Sequence, residues 1–180
     1  ACNCYHCPLG RSYPGCDLPC ASELEAAILR EGADSIAAFI VEPFVGAAGH
    51  LLDSMLRALK LTRDEAPPER QVYIANTLKC RPPRNRNPEP EDLARCEPFL
   101  MRQIELIRPK LILAMGRFAV QALLRTDAPI GKLRGQVHRY QGVPLVVTYH
   151  PAYLLRNLPD KAKAWADLCL AADAAAAAGA

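Results

Sequence analysis

This chain lacks any apolar run of transmembrane length, and its amino end lacks the apolar segment that a secretory signal needs. It does not begin with methionine, which leaves room for a longer amino end. Strong charge is missing too: 22 basic against 19 acidic side chains leave a net +3, too mild to establish a nucleic-acid partner by itself. The expectation is a cytoplasmic protein away from membranes. Thiols stay reduced there, so clustered cysteines favour metal or iron–sulfur ligation over a disulfide framework.

Cysteine is what the chain does have. There are 8, and Cys2, Cys4, Cys7, Cys16 and Cys20 fall within the first 20 residues. Cys4 and Cys7 form a C-x-x-C pair, a spacing that lets two thiolates reach one metal or cluster. A length of 180 residues with 51% hydrophobic content suits one α/β domain with a sizeable core.

The stretch VYIANTLKCRPPRNRNPEPEDLARC, residues 72–96, organises the rest. It opens as a short apolar strand, delivers Asn76 and Cys80, and returns a second thiol at Cys96. Prolines 82, 83, 88 and 90 forbid helix through the loop between them. Two cysteines bracketing such a loop suggest a metal or cluster staple. Two isolated cysteines are as readily half-buried core thiols. Residues 79–86, KCRPPRNR, carry Lys79, Arg81, Arg84 and Arg86 with no acid, and Lys132, Arg134, His138 and Arg139 form a second basic stretch. Basic loops on a nearly neutral body suit a localised contact with phosphates, or are simply solvated loops.

Periodicity outlines the remainder. A capping-box pattern at Ser22 and Glu25 opens a helix over 23–31. Strands are expected at 36–41, 72–75, 111–115 and 145–148, with a small extra strand within 133–140. Helices are expected at 50–61, from about Pro90 to Ile107, at 117–125, and from about Asp160 into an alanine-rich tail. Alternating strands and helices indicate a parallel sheet with helices on both faces. Ligands of such sheets bind beyond the carboxyl ends of the strands. Glu42 with Phe44, then Asn76, then His150 each follow a strand. An aromatic, an amide and an imidazole at one sheet edge suit a planar base. Each also has an ordinary reading, as core aromatic, turn residue or loop histidine.

Four stretches resemble the family 4 uracil-DNA glycosylases, the iron–sulfur type: PFVGAAGHLLD (43–53), YIANTLKCRPPRNRNPEPEDLARCEPFL (73–100), IRPKLILAMGRFAVQALL (107–124) and VTYHPAYLLR (147–156). The resemblance implies a three-layer α/β/α fold around a four-stranded parallel sheet, a [4Fe–4S] cluster, and hydrolysis of the bond between uracil and deoxyribose. It implies that Phe44 stacks on the flipped uracil beside Gly46, that Asn76 reads its edge, and that His150 lies near its O2. Cys4, Cys7, Cys80 and Cys96 would ligate the cluster, with Cys2 in reserve and Cys16, Cys20 and Cys169 outside it. DNA contacts would come from Lys79, Arg81, Arg84, Arg86 and from the wedge residues Leu154, Leu155 and Arg156. The implied partner is uracil-containing DNA, single- or double-stranded, bound by a monomer.

The amino-terminal part departs from that family. Phe39-Ile40-Val41-Glu42 runs straight into Pro43-Phe44, so the first catalytic loop looks deleted. Glu42 replaces its acid only if the carboxylate turns into the pocket, and a structural salt bridge is an equal reading. Residues 4–47 resemble an internal piece of a class III pyridoxal-phosphate-dependent aminotransferase, which suggests a junction of two sequences. The expected organisation is an atypical segment 1–42, a glycosylase-like domain 43–170 and an alanine-rich tail 171–180. The expected function is a weakened uracil-DNA glycosylase. The alternatives are a non-catalytic iron–sulfur DNA- or uracil-binding remnant and, further off, an aminotransferase fragment.

Overall fold

The computed structural model describes residues 38–41, 47–63, 67, 70–79, 82, 84 and 86–178. Strand β1 (Ala38–Val41) precedes helix α1 (Ala47–Ala58) and strand β2 (Val72–Ala75). Helix α2 (Pro90–Ile107), strand β3 (Ile112–Met115), helix α3 (Arg117–Leu124) and the short α4 (Ile130–Leu133) follow. A hairpin of β4 (Val137–Tyr140) and β5 (Val143–Thr148) leads into α5 (Pro151–Leu154), a 3-10 turn at Leu158–Asp160 and the terminal α6 (Lys161–Ala178).

The architecture is α/β. The sheet order is β2-β1-β3-β5-β4. The first four in that order are mutually parallel, and β4 runs antiparallel to β5. Beside the four parallel strands, the small extra strand expected within 133–140 is present as β4, a fifth and antiparallel member of the sheet. Its cause is the turn at Gln141–Gly142, whose φ values of 48° and 87° are both positive. A two-residue hairpin turn needs that conformation to match the twist of its strands. It folds residues 137–140 back against β5, pairing Tyr140 with Val143. The parallel strands β3 and β5 are continuous apolar runs, as strands covered on both faces should be.

Helices cover both faces. On one, Leu100, Ile104 and Ile107 of α2 and Val120 and Leu123 of α3 pack with Ile112, Ala114, Leu145 and Val147. On the other, Leu52 and Leu56 of α1 and Leu168 and Ala171 of α6 pack with Val72, Leu113, Met115 and Val146. Cys96, Leu100, Ile104 and Ile107 recur at helical spacing and form the buried stripe of α2. Pro90 occupies its first turn, and the Asp92 carboxylate accepts the Glu89 N–H at 3.0 Å. Helix α1 starts at Ala47, ahead of the expected His50, because Ala47 and Ala48 are strong helix formers. Helix α6 runs on through the expected tail for the same reason, and Ala174 and Ala175 pack against the core beside Ala171. No helix among the described residues is long and apolar enough to cross a membrane.

Candidate functional site

The four parallel strands finish level. Val41 pairs with both Ala75 and Ala114, and Met115 pairs with Thr148. Asn76, Gly116 and the Tyr149-His150 pair therefore emerge along one edge. With β2 and β5 three strand spacings apart, their ends stand about 14 Å apart, room for a ring-sized ligand. The chain leaving β1 between them carries Glu42, Phe44 and Gly46, which lie outside the described residues.

His150 caps α5. Its Nδ1 accepts the Ala152 N–H at 3.0 Å. The neutral ring must then carry its proton on Nε2, so it presents a donor. Burial, and then the nearby Arg156 guanidinium, push the imidazole below its ordinary value of 6.5. Near neutral pH it is an uncharged donor. Gly116 makes room for it: a Cβ there would stand 3.3 Å from His150 Cβ and 3.5 Å from Cδ2. Gly116 also sits at φ +96°, a conformation that glycine alone adopts without strain, and donates its N–H to the Thr148 carbonyl at 3.1 Å.

A buried ionic group anchors the strand end beneath His150. Asp167 of α6 is 0% exposed. Its Oδ2 accepts from Thr148 Oγ1 at 2.8 Å and from Arg134 Nε at 3.0 Å. Arg134 Nη2 lies 2.9 Å from Oδ1 but donates to the Lys163 carbonyl at 2.6 Å, so Oδ1 is held by charge without a directed hydrogen bond. The same guanidinium lies 5.8 Å above the Tyr149 ring, which stacks on Tyr153 at 5.0 Å. Tyr153 in turn donates to Asp160 at 2.7 Å.

Several residues expected at the DNA surface are placed otherwise. Leu154 is 1% exposed and belongs to the core, because the single turn of α5 directs it inward. Leu155, 40% exposed, and the exposed Arg156 remain outside. Lys79 turns its ammonium inward, onto the Asn76 carbonyl at 2.7 Å and Gln103 Oε1 at 2.5 Å. Arg86 is engaged by Asp92 at 2.6 Å, and that bond holds the Asp92 carboxyl below its usual range. Arg84 is exposed, and Arg81 lies outside the described residues.

Of the expected cluster ligands, Cys96 is described. It is 5% exposed, and its Sγ accepts the Lys79 backbone N–H at 3.5 Å. A sulfur that receives an amide N–H from a neighbouring loop suits a thiolate ligand. Cys4, Cys7 and Cys80, with Cys2, Cys16 and Cys20, lie outside the described residues, among which no group of three His, Cys, Asp or Glu side chains could hold a metal. Cys169 is exposed on α6.

Sequence reasoning passed over Gln103 and Asp167, and it read Arg134 only as part of a basic stretch suited to phosphates or solvent. The positive φ of Gly116 was legible as a glycine after a strand. Gln103, Arg134 and Asp167 act through hydrogen-bond partners 19 to 33 residues away, beyond any local pattern.

The model of the uracil DNA glycosylase superfamily matches residues 40–169. A type-4 uracil-DNA glycosylase of Archaeoglobus fulgidus is 43% identical over 122 residues, covering 63% of this chain and 58% of the relative. One of Thermotoga maritima is 44% identical over 117 residues, covering 64% and 58%. One of Pyrobaculum aerophilum is 36% identical over 167 residues, covering 86% and 81%. The chain thus spans somewhat over half the length of the first two relatives and most of the third. With the family model matching well over half of its residues, the chain belongs to the uracil-DNA glycosylase superfamily.

Proposed function

We propose that this protein is a uracil-DNA glycosylase of base excision repair, hydrolysing the bond between a flipped-out uracil and its deoxyribose. The observation that carries this reading is the pairing, at one strand-end edge, of Asn76 after β2 with an Nε2–H donor on His150 after β5. Names of the relatives in the superfamily support the same activity.

The base leaves the stack and enters the edge pocket. Phe44 stacks on it beside Gly46, and the Asn76 amide reads its donor–acceptor edge. As the glycosidic bond breaks, its electron pair goes to the uracil ring, and negative charge grows on O2. Nε2–H of His150 opposes that charge. A neutral donor suits the task because it costs no deprotonation and meets the charge only as it forms. Water then adds to the cation-like sugar and gives up a proton, leaving uracil and an abasic site. The acid of the first catalytic loop is missing from the sequence, and Glu42 is a doubtful replacement, so turnover is expected to be slow. Loss of one preorganised donor such as His150 Nε2–H would typically cost about 10²–10³ in rate.

Arg81, Arg84, Leu155 and Arg156 are proposed to hold the DNA, with Arg86 shared between phosphate and Asp92. Cys4, Cys7, Cys80 and Cys96 would hold a [4Fe–4S] cluster, which would staple the basic loop to the amino-terminal segment. The partner is uracil-containing DNA, single- or double-stranded, bound by a monomer. We retain the reading of residues 1–42 as an atypical segment carrying a junction with an aminotransferase-like sequence. The test is release of uracil from uracil-containing single-stranded DNA. Release that Asn76→Ala and His150→Ala both abolish supports the reading. A chain that binds such DNA without releasing the base is instead the non-catalytic remnant, which the missing loop favours.

A further inference from the structure

Basic residues in a loop after a strand look alike in sequence, and all four of residues 79, 81, 84 and 86 look like phosphate contacts. Lys79 is committed elsewhere. Its Nζ donates to the Asn76 carbonyl at 2.7 Å, closing the segment 76–79 on itself, and to Gln103 Oε1 at 2.5 Å. Gln103 is 6% exposed near the carboxyl end of α2, and its Nε2 donates to the Tyr73 hydroxyl on β2 at 3.2 Å. The two ends of the Gln103 amide are thus both assigned, oxygen to the ammonium and nitrogen to the phenol. The Lys79 backbone N–H points at Cys96 Sγ, and Thr77 within the segment is 4% exposed.

Segment 76–79 has no ladder or helix of its own to define it. Charged hydrogen bonds are roughly twice as strong as neutral ones, and here one ammonium serves two oxygens at once. Removing it leaves the Gln103 oxygen buried without its donor and frees the Asn76 carbonyl to rotate. Asn76 would then carry its side-chain amide at no single angle.

We propose that Lys79 and Gln103 are positioning residues that fix the angle at which Asn76 meets the base, and that Lys79 is not a phosphate contact. This rests on Asn76 being the base reader.

The two roles of Lys79 separate cleanly. Removing a cation that pairs with a phosphate of single-stranded DNA lowers the slope of log affinity against log salt by about 0.7 and leaves base recognition intact. Removing a positioning group does the opposite. The experiment uses the full chain and compares Lys79→Met, Gln103→Met, their double variant and Asn76→Ala. It reads the salt slope on uracil-free single-stranded DNA, inhibition by free uracil, and kcat on uracil-containing DNA. Lys79→Met and Gln103→Met should each weaken uracil inhibition and kcat at least about tenfold, within the range that misplacing a reacting group costs. The double variant should match the singles, and the salt slope should not move. Gln103→Glu keeps an acceptor for the ammonium and should stay within about twofold of the parent in uracil inhibition, whereas Gln103→Met should not. A lowered salt slope in Lys79→Met with a silent Gln103→Met overturns the proposal. So does uracil inhibition that Asn76→Ala destroys and the Lys79 and Gln103 variants leave alone. If Asn76→Ala itself leaves uracil inhibition unchanged, the base-reader assignment falls, and this proposal with it.

Discussion

Arg134→Met should be among the most destabilising single changes in this protein. The substitution keeps much of the side chain's volume and removes its charge. It leaves the Asp167 carboxylate, fully enclosed, with Thr148 Oγ1 at 2.8 Å as its remaining hydrogen-bond donor. Breaking a buried pair from one side costs about 3–5 kcal/mol, because the surviving charge stays desolvated. The Arg134 side chain keeps 18% of its exposure, so water can partly reach the gap, and the lower end applies. At roughly 2–4 °C per kcal/mol for a chain of this size, a loss of about 3 kcal/mol lowers the melting temperature by about 6–12 °C. The assay is urea unfolding followed by circular dichroism, beside Asp167→Leu and the double variant. The double variant should recover more than about 1 kcal/mol of the summed loss, since apolar replacement of both partners is often neutral. If Arg134→Met costs less than about 0.5 kcal/mol, the carboxylate is being solvated without the arginine, and its anchoring of the β5 end is refuted.

Three other changes test different parts of the structure. Cys96→Ala should abolish iron content and visible charge-transfer absorbance in protein reconstituted with iron and sulfide; retained iron would remove Cys96 from the ligand set. Gly116→Ala must place a Cβ 3.3 Å from His150 at φ +96°, so it should cost about 1–3 kcal/mol of stability and lower kcat more than DNA affinity; an unchanged kcat would show that the ring has freedom to spare. The depressed imidazole of His150 means that the unfolded chain takes up this proton first as pH falls, so its contribution to stability is complete above 6.5 and declines from there down to the folded-state value. His150→Gln should flatten that portion of the unfolding-versus-pH curve, and an unaltered curve would place the titration elsewhere.

Much of the fold was legible because a parallel strand covered on both faces leaves an unbroken apolar run. Leu111–Met115 and Leu145–Thr148 announce themselves that way, and the residues that follow them stand at the candidate site by position. The antiparallel β4 was harder, since Val-His-Arg-Tyr alternates between exposed and half-buried and resembles a loop with a weak period. Asn76 and His150 could be singled out because strand ends dictate where they stand. The burial of Leu154 and the inward turn of the Lys79 ammonium were out of reach because charge and hydrophobicity say what a side chain is, while its direction is set by partners such as Gln103 that arrive from other elements. The tautomer of His150 was equally out of reach, as it depends on one backbone N–H two residues on.

The hairpin turn at Gln141–Gly142 acts as a length gauge for chemistry at the far end of the strand. Tyr140 opposite Val143 fixes the count along β5, and the count fixes that Thr148 stops beside Met115. Thr148 then meets Asp167, and His150 swings in against Gly116. Inserting one residue between Gln141 and Gly142 would leave composition and charge almost untouched. If β5 absorbed the insertion by sliding, every one of its side chains would change faces. Leu145 and Val147 would leave one helical layer, Val146 the other, and Thr148 would lose its carboxylate. An exposed loop, the usual place where evolution tolerates length changes, is here a place where a single added residue would mis-set the imidazole at the other end of the sheet.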